Sequence, residues 1–503
     1  MAADFLCEAA APLVQTDRGP VRGYHLDGVD VFKGIPYGRA RRFCAARPPA
    51  PWARPLDATS YGCVCPLLNM ARPMDELQVP HRYWVQDEDC LNLNLWTPAC
   101  DGARRPVAVW LHGGGFSEGS AMEQLAYEGG AMALAGDCVV VSVNHRLNIL
   151  GYWDLSAWGP EYAGSANNGT ADLVLALQWV RRNIAAFGGD PDNVTLMGQS
   201  GGGGKIIALM QTPAADGLYR AGVIMSGVLD GLMQDCTGPA APGVEAVLAR
   251  LGLADVRALE QVPFPALARA YNETAPALAA QGVNVGCAPA PVPGGYAGSP
   301  LGPAGFRPQT LGVPLLVGSV FAEFYGFVPG RPAESPAAVL GEEAAARLAP
   351  LFAAAYPGRP ASDVLAADTL FRAAAIRFIR ARAAAGGTVY SYLFNQDFPL
   401  HGGTPPWHCA DIPFLLHNIR LVPACRFAGA QALEGRMFGA LMAFLRGGSP
   451  GWHPCTPRQE NTMLFGPACG VAVNHDHALV DALAPYAPRL LARMRAAGAE
   501  AQH

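Results

Sequence analysis

The chain has 503 residues, of which 51% are hydrophobic and 15% are charged, so it is long enough to bury a large core. Its formal net charge is −5, and it carries no basic stripe or Arg-rich helix, so nucleic acid is not expected as a partner. Every apolar run is interrupted by charges, Gly or Pro before it reaches about 18 residues, so no membrane span is predicted.

The N-terminal segment does not have the pattern of a secretory signal. Residues 1–8 include acidic residues where a signal peptide needs basic ones, and they contain no apolar core of adequate length. We therefore expect a cytoplasmic protein.

The 13 cysteines are an odd number, which excludes complete internal pairing. Neither the Cys63/Cys65 pair nor His408 with Cys409 has a second pair at zinc-ligand spacing, so no metal site and no cofactor are expected.

The first element with a clear signature is a hairpin. Asp27 and Gly28 lie between the apolar, strand-like residues 21–24 and 29–32. An Asp-Gly pair between two such runs favours a tight two-residue turn.

A glycine-rich loop follows the next buried strand. Residues 107–111 are apolar and end in the sequence His-Gly-Gly-Gly-Phe at 112–116. Consecutive glycines leave backbone N–H groups uncovered, and acyl transfer needs such donors where negative charge develops on the ester carbonyl oxygen. We assign this oxyanion-hole role to the amides of Gly114 and Gly115, together with the amide of Gly201.

The most informative stretch of the chain comes next. The apolar residues 194–197 run directly into Gly-Gln-Ser-Gly-Gly at 198–202. A strand that ends in G-x-S-x-G and continues as a helix forms a nucleophile elbow, in which a strained serine is exposed at the end of the sheet. Ser200 is therefore the candidate nucleophile.

A serine hydroxyl needs a histidine base and an acid that orients it, and after such an elbow the chain order is serine, acid, histidine. Residues 312–318 read as a buried strand, and Glu323 lies in the loop that follows. Carboxylates just beyond the C-terminal ends of parallel strands are typical functional groups. Glu323 is the preferred acid, with Asp397 and Asp411 as competitors, although Asp411 follows one candidate histidine and so breaks the order.

The base is expected after the next strand. Residues 388–394 read as a strand, and the Pro- and Gly-rich loop behind it carries His401 and His408. His408 is preferred, while His401 remains a competitor on position alone.

These motifs together resemble the type-B carboxylesterases, the cholinesterase-like branch of the α/β hydrolases, from about residue 16 to about residue 465. The matching stretches are residues 32–37, 88–94, 112–116, 183–191 and the elbow. The resemblance implies an α/β-hydrolase fold: a mostly parallel central sheet flanked by helices, with an N-terminal β meander and helical insertions. It also implies that Glu323 is the triad glutamate, five residues after Gly318, and that His408, which precedes Ala-Asp-Ile-Pro-Phe, is the triad histidine.

The chain also departs from its apparent relatives. Animal cholinesterases have a glutamate directly before the nucleophile, whereas this chain has the uncharged Gln199, so a preference for cationic choline esters is not expected. The glycine run 201–204 followed by Lys205 resembles bacterial members. In secreted members the cysteine aligned with Cys90 is bridged to the one aligned with Cys65, which makes this pair a candidate disulfide.

We interpret residues 1–503 as one catalytic domain, because the ordered motifs span a single sheet. Insertions at about 239–308 and 334–382, the latter helical in its Ala, Glu and Arg usage, would wall the active site.

The expected function is hydrolysis of a small-molecule carboxylic ester through an acyl-enzyme. The same triad would also serve an amide, a carbamate or a complex natural-product ester, and some relatives with this fold are non-catalytic binding proteins.

Overall fold

The computed structural model describes residues 5–8, 12–69, 82–229, 239–328 and 330–500. The strands of this described part are β1 (Phe5–Leu6), β2 (Leu13–Gln15), β3 (Pro20–Arg22), β4 (Tyr24–Leu26), β5 (Val29–Pro36), β6 (Leu56–Asp57), β7 (Asn92–Thr97), β8 (Arg105–Leu111), β9 (Val139–Val143), β10 (Gly189–Gln199), β11 (Ala221–Met225), β12 (Leu315–Val320), β13 (Val389–Phe394), β14 (Asn461–Phe465) and β15 (Gly470–Val473). Its α-helices are α1 (Gly130–Gly136), α2 (Asn148–Tyr152), α3 (Asn168–Asn183), α4 (Gly201–Met210), α5 (Ala241–Leu251), α6 (Phe264–Ala279), α7 (Pro336–Leu340), α8 (Glu342–Ala355), α9 (Phe371–Ala384), α10 (Ile412–Leu415), α11 (Ala430–Leu445), α12 (His477–Leu483) and α13 (Ala487–Glu500).

Twelve strands form one large sheet in the order β1-β4-β5-β7-β9-β8-β10-β11-β12-β13-β14-β15. The strands from β9 to β14 in this order pair in parallel. The N-terminal strands β1, β4, β5 and β7 pair antiparallel at one edge, and β15 closes the other edge antiparallel. A second, small sheet holds β2, β3 and β6. The mostly parallel sheet and the N-terminal antiparallel strands agree with the expected architecture.

Both faces of the sheet are buried. Along β8, Val107, Val109 and Leu111 belong to one hydrophobic cluster, which also takes in the apolar sides of α3, α4 and α9. The alternate residues Ala108 and Trp110 belong to a second cluster with α1 and α11. Parallel strands that are covered by helices on both sides have this near-continuous hydrophobic sequence.

The expected hairpin is present. Strands β4 and β5 pair antiparallel, and Asp27 and Gly28 connect them with φ angles of 49° and 86°. Two successive positive φ angles are the mark of the tight turn that an Asp-Gly pair favours.

Helices occupy the two proposed insertions. Helices α5 and α6 lie within residues 239–308, and α7, α8 and most of α9 lie within residues 334–382. That the chain forms one domain, and that these segments wall the active site, stay predictions. None of the helices in the described part of the chain combines the length and apolar character needed to cross a lipid bilayer.

The strand register brings the candidate site residues to one edge of the sheet. Leu111 at the end of β8 pairs with Gly198 in β10, and Gln199 pairs with Met225 at the end of β11. Met225 in turn pairs with Gly318 in β12. The loops that follow four strands therefore emerge side by side at the C-terminal edge, where open α/β sheets bind ligands.

Candidate active site

Ser200 lies in the sharp turn between β10 and α4. Its φ and ψ angles are 55° and −125°, and its backbone N–H donates to Met225 O at 2.8 Å. A Cβ on Gly198 would come within 2.4 Å of Gly202 C, and one on Gly202 within 2.0 Å of Leu111 O. The turn therefore requires these glycines, as a nucleophile elbow does.

The glycine loop after β8 packs against this turn. Gly114 and Gly115 have φ angles of 78° and 60°, which favour glycine. A Cβ on Gly201 would lie 2.4 Å from Gly115 N, and a Cβ on Gly113 would lie 3.4 Å from Ser200 Cβ. The backbones of Gly115 and Gly201 are thus in direct contact beside Ser200.

Glu323 and His408 form a buried pair. His408 Nδ1 lies 2.5 Å from Glu323 Oε2, and the backbone N–H of His408 donates to Glu323 O at 2.9 Å. The other carboxylate oxygen of Glu323 accepts from the Ser226 hydroxyl at 2.7 Å and from the Val320 N–H at 3.0 Å. These three contacts hold the Glu323 carboxyl group in a fixed orientation, and this group in turn orients the imidazole.

Two phenylalanines pack on the imidazole of His408. The ring of Phe324 lies 5.0 Å from it and the ring of Phe371 lies 4.8 Å from it, measured between centroids. Phe371 is buried, whereas Phe324 is 37% exposed. The two phenylalanine rings also contact each other, with centroids 5.4 Å apart, so the imidazole packs in a cluster of three rings, of which the Phe324 ring can be reached by solvent or a substrate.

The other ring nitrogen of His408 contacts the residue before the nucleophile. Gln199 Nε2 lies 3.0 Å from His408 Nε2, and both side chains are buried. When Nδ1 carries the proton that faces Glu323, Nε2 presents a lone pair and the Gln199 amide donates to it. The amide shares this nitrogen with any hydroxyl that the histidine deprotonates.

Residues 10–274 match the model of the carboxylesterase family. The chain is 32% identical over 461 residues to para-nitrobenzyl esterase of Bacillus subtilis, covering 87% of this chain and 90% of that one. The chain belongs to the carboxylesterase family. The resemblance read from its motifs is confirmed, and it is a carboxylic ester hydrolase.

Solved structures agree with this membership. A Clostridium hathewayi esterase, described as able to hydrolyse aliphatic aromatic polyesters, superimposes with a TM-score of 0.92 and 47% identity, covering 96% of this chain and 99% of that one. The Geobacillus stearothermophilus carboxylesterase superimposes with a TM-score of 0.70 and 29% identity, covering 93% and 99% of the two chains. These neighbours confirm the α/β-hydrolase fold, and the comparisons favour ester hydrolysis over the amide and carbamate alternatives.

The competing residues of this carboxylesterase have other partners. His401 is exposed. Asp397 forms ion pairs with Arg331 and Arg359. Asp411 is buried and accepts a hydrogen bond from the Tyr392 hydroxyl at 2.7 Å. Neither aspartate has the contact with His408 that Glu323 makes.

Two further carboxyl groups of the carboxylesterase lie within electrostatic reach of Glu323. Burial raises the pKa of Asp411 to about 6, and the negative charge of Glu323 acts in the same direction. Burial and the charge of Glu323 likewise raise the pKa of Asp368 to about 7. Asp368 accepts from the backbone N–H of Arg372 at 2.7 Å, at the start of α9. Asp411 and Asp368 therefore have pKa values close to neutral pH, and both interact electrostatically with Glu323 and His408.

The candidate disulfide of the carboxylesterase is not formed in the structure. Cys65 and Cys90 are buried free thiols, and a hydrogen bond with Cys65, together with burial, raises the pKa of Cys90. Within the described ranges, no group of three His, Cys, Asp or Glu side chains is placed to hold a metal ion.

The sequence motifs missed three contributors to this part of the carboxylesterase. Phe324 and Phe371 carry no motif that marks them as neighbours of His408. Lys205, whose Nζ donates to the carbonyl oxygen of His112 at 2.9 Å, does have a signal, since it is the one charged residue in the otherwise apolar sequence of α4.

Proposed function

We propose that Ser200, His408 and Glu323 are the catalytic triad of this esterase, and that the amides of Gly114, Gly115 and Gly201 form its oxyanion hole. The observation that carries the proposal is the 2.5 Å contact between His408 and Glu323, at the same sheet edge as the strained serine. A triad is recognised by geometry and roles of this kind.

In the proposed mechanism, Ser200 Oγ attacks the ester carbonyl carbon while His408 Nε2 takes the hydroxyl proton. Glu323 keeps the imidazole in the required tautomer and stabilises the imidazolium. The imidazolium then protonates the departing alkoxide, which leaves as the alcohol and yields an acyl-enzyme on Ser200. Water, deprotonated by His408, attacks the acyl-enzyme, and the carboxylic acid is released with Ser200 restored.

The charge that develops on the carbonyl oxygen needs donors that are already in place. The direct contact between the backbones of Gly115 and Gly201 supports a convergence of their N–H groups on one point. Preorganised donors of this kind do not have to reorient during the reaction, and each is worth about 10²- to 10³-fold in rate.

The test is replacement of Ser200 with Ala. We expect kcat for p-nitrophenyl acetate to fall by about 10⁴- to 10⁶-fold, and the acetyl group that accumulates on the wild-type enzyme to be located on Ser200 by peptide mass spectrometry. Ser156→Ala, at an exposed serine, is the matched control. A Ser200→Ala variant that keeps its turnover, or an acetyl group on another residue, would contradict the proposal.

We further propose that the preferred esters carry an aromatic ring close to the ester bond. Two relatives are named for such compounds, para-nitrobenzyl esters and aliphatic aromatic polyesters. Phe324 supports this substrate class, because its partly exposed ring lies beside His408 and can stack on a substrate ring. The measurement compares bis(2-hydroxyethyl) terephthalate with a non-aromatic diester of similar length. Equal kcat/KM values, or no effect of Phe324→Ala on their ratio, would contradict the preference.

Finally, we propose that the protein works in the cytoplasm. The cysteines of the described ranges are free thiols, which a reducing compartment maintains. The test is alkylation during lysis, followed by mass spectrometry of the intact protein. Recovery of a disulfide-linked peptide that joins Cys65 to Cys90 would argue for an oxidising compartment.

A further inference from the structure

The feature that the reaction scheme leaves unexplained is the buried lysine of helix α4. Lys205 is fully buried, and its Nζ donates to the backbone carbonyl oxygen of His112 at 2.9 Å and lies 3.4 Å from that of Gly113. Burying an ammonium group is costly unless it is hydrogen-bonded, so a lysine at this position calls for a reason. Both carbonyl groups belong to the loop that leads into Gly114 and Gly115.

The glycine run at the start of α4 makes this contact possible. A Cβ on Gly202 would lie 2.0 Å from Leu111 O and 3.0 Å from His112 O. The helix therefore approaches the end of β8 more closely than any side chain would allow. One turn further on, Lys205 reaches back along the helix, in the direction that long helical side chains prefer, and meets the same loop.

The two carbonyl groups determine where the neighbouring N–H groups point. In a planar trans peptide the C=O and N–H bonds point in opposite directions, so the carbonyl of Gly113 and the N–H of Gly114 form one rigid unit. The carbonyl of His112 is joined to the N–H of Gly113 in the same way. A donor that binds both oxygens therefore points both N–H groups away from Lys205.

We propose that Lys205 is a positioning residue of the oxyanion hole, which fixes the peptide planes of the glycine loop by binding the carbonyl groups of His112 and Gly113. This inference rests on the proposed function, because it assumes that Gly114 N–H faces the reacting carbonyl oxygen. In its protonated form the side chain also polarises the peptide groups it binds, which makes their N–H groups stronger donors.

Lys205 is held by backbone carbonyl groups, and its burial affects its own pKa and those of two neighbouring histidines. Burial lowers its pKa to about 7, against the opposing effects of Glu123 and Cys65. Burial and the positive charge of Lys205 lower the pKa of His112, whose Nδ1 lies 2.9 Å from the carbonyl oxygen of Gly113. Burial and Lys205 also lower the pKa of His145, which stacks on His112 at 5.2 Å. A neutral His112 thus donates to the same peptide group that Lys205 contacts.

The alternative is that Lys205 only fills space and satisfies two buried carbonyl groups. The two roles differ in what they do to the reaction. A structural lysine affects stability, whereas a positioning lysine affects the transition state more than the bound substrate, and so lowers kcat and kcat/KM together. Removal of one oxyanion donor lowers the rate by about 10²- to 10³-fold, so misalignment of such a donor should lower it by about 10- to 100-fold.

The experiment replaces Lys205 with Met, which has similar length and no N–H, and separately with Gln, which restores a neutral donor. Lys33→Met is the matched control, because Lys33 is a partly buried lysine that interacts with Glu128 and Tyr61. Folding is verified by circular dichroism and thermal melting. For each folded variant, kcat, KM and two inhibition constants are measured: one for an aryl trifluoromethyl ketone, whose serine adduct carries an oxyanion, and one for the corresponding methyl ketone.

We expect Lys205→Met to lower kcat by about 10- to 100-fold with KM changed by less than about threefold. Affinity for the trifluoromethyl ketone should fall by the same factor as kcat/KM, while affinity for the methyl ketone stays within about threefold. Lys205→Gln should recover part of both losses, and Lys33→Met should match the wild type. If Lys205→Met does not fold, Lys205→Gln tests the inference instead. We then expect it to lose some affinity for the trifluoromethyl ketone relative to the wild type, but less than the loss expected for Lys205→Met.

A folded Lys205 variant whose ratio of ketone affinities equals that of the wild type would overturn the inference. This outcome is distinct from a failure of the proposed function. If the triad assignment is wrong, Ser200→Ala remains active and still binds the trifluoromethyl ketone more tightly than the methyl ketone. If only the inference is wrong, Ser200→Ala is inactive and the wild type discriminates between the ketones, but the Lys205 variants discriminate equally well.

Discussion

Replacement of Gln199 with Glu should move the acid limb of the pH profile upward. Gln199 Nε2 lies 3.0 Å from His408 Nε2, so an isosteric carboxylate would be placed against the imidazolium. Coulomb's law gives about 5.5 kcal/mol for unit charges at this separation and an effective dielectric constant of about 20. Desolvation of the new carboxylate and its repulsion by Glu323 offset much of this. A net stabilisation of about 1.4–2.8 kcal/mol remains, which corresponds to about 1–2 pH units.

The assay is kcat/KM for p-nitrophenyl acetate between about pH 5 and pH 9, recorded at the isosbestic wavelength of nitrophenol. Because His408 must be neutral to act as the base, Gln199→Glu should lose about 90% or more of its activity near pH 6 and little near pH 9, relative to the wild type. Gln199→Met, which has no charge, is the control and should move the limb much less. Superimposable profiles for Gln199→Glu and the wild type would refute the reasoning, as would equal shifts for both variants.

Three further predictions concern carboxyl groups and the arginine that pairs with two of them. Glu323→Gln should lower kcat by about 10³- to 10⁴-fold, whereas Asp411→Asn should stay within about tenfold. Because burial raises the Asp411 pKa from 3.8 to about 6, Asp411→Asn should melt at a higher temperature than the wild type at pH 8, and this difference should shrink as the pH falls below about 6 and vanish below about 4. Arg372 is buried between Glu460 and Asp476. Burial alone would raise the pKa of both carboxyl groups, but the charge of Arg372 holds each pKa below its ordinary value. Arg372→Met should therefore destabilise the protein by about 3–5 kcal/mol above pH 5, and the difference in melting temperature should shrink as the pH falls below about 4; a pH-independent difference would contradict this account.

Much of the fold could be predicted from the sequence, because its strands and turns are specified by residues that are close together in the chain. The buried strand expected at residues 107–111 lies within β8, and the one expected at residues 388–394 contains β13. The turn at Asp27 and Gly28 needs only its own backbone angles to be recognised. Likewise, the elbow depends on glycines within four residues of one another. Where a structure is encoded by neighbouring residues, the pattern is visible in the chain.

Contacts between distant residues could not be predicted in the same way. Gln199 and His408 are separated by more than 200 residues, and nothing in either segment specifies their 3.0 Å contact. The packing of Phe371 on His408 depends on where α9 enters the structure, which the helical composition of that segment does not reveal. The resemblance predicted Glu323 and His408 as partners, and the structure has their side chains in contact. A family pattern can pair distant residues because it reflects the folds of relatives, which spacing alone does not.

The close approach of helix α4 to the end of β8 has a consequence for engineering. At Gly198, Gly202 and Gly203 an added methyl group would meet main-chain atoms, which cannot rotate out of the way. Mutagenesis libraries that aim to change substrate choice should therefore leave these three glycines untouched and diversify positions at which an added side chain meets no main-chain atoms.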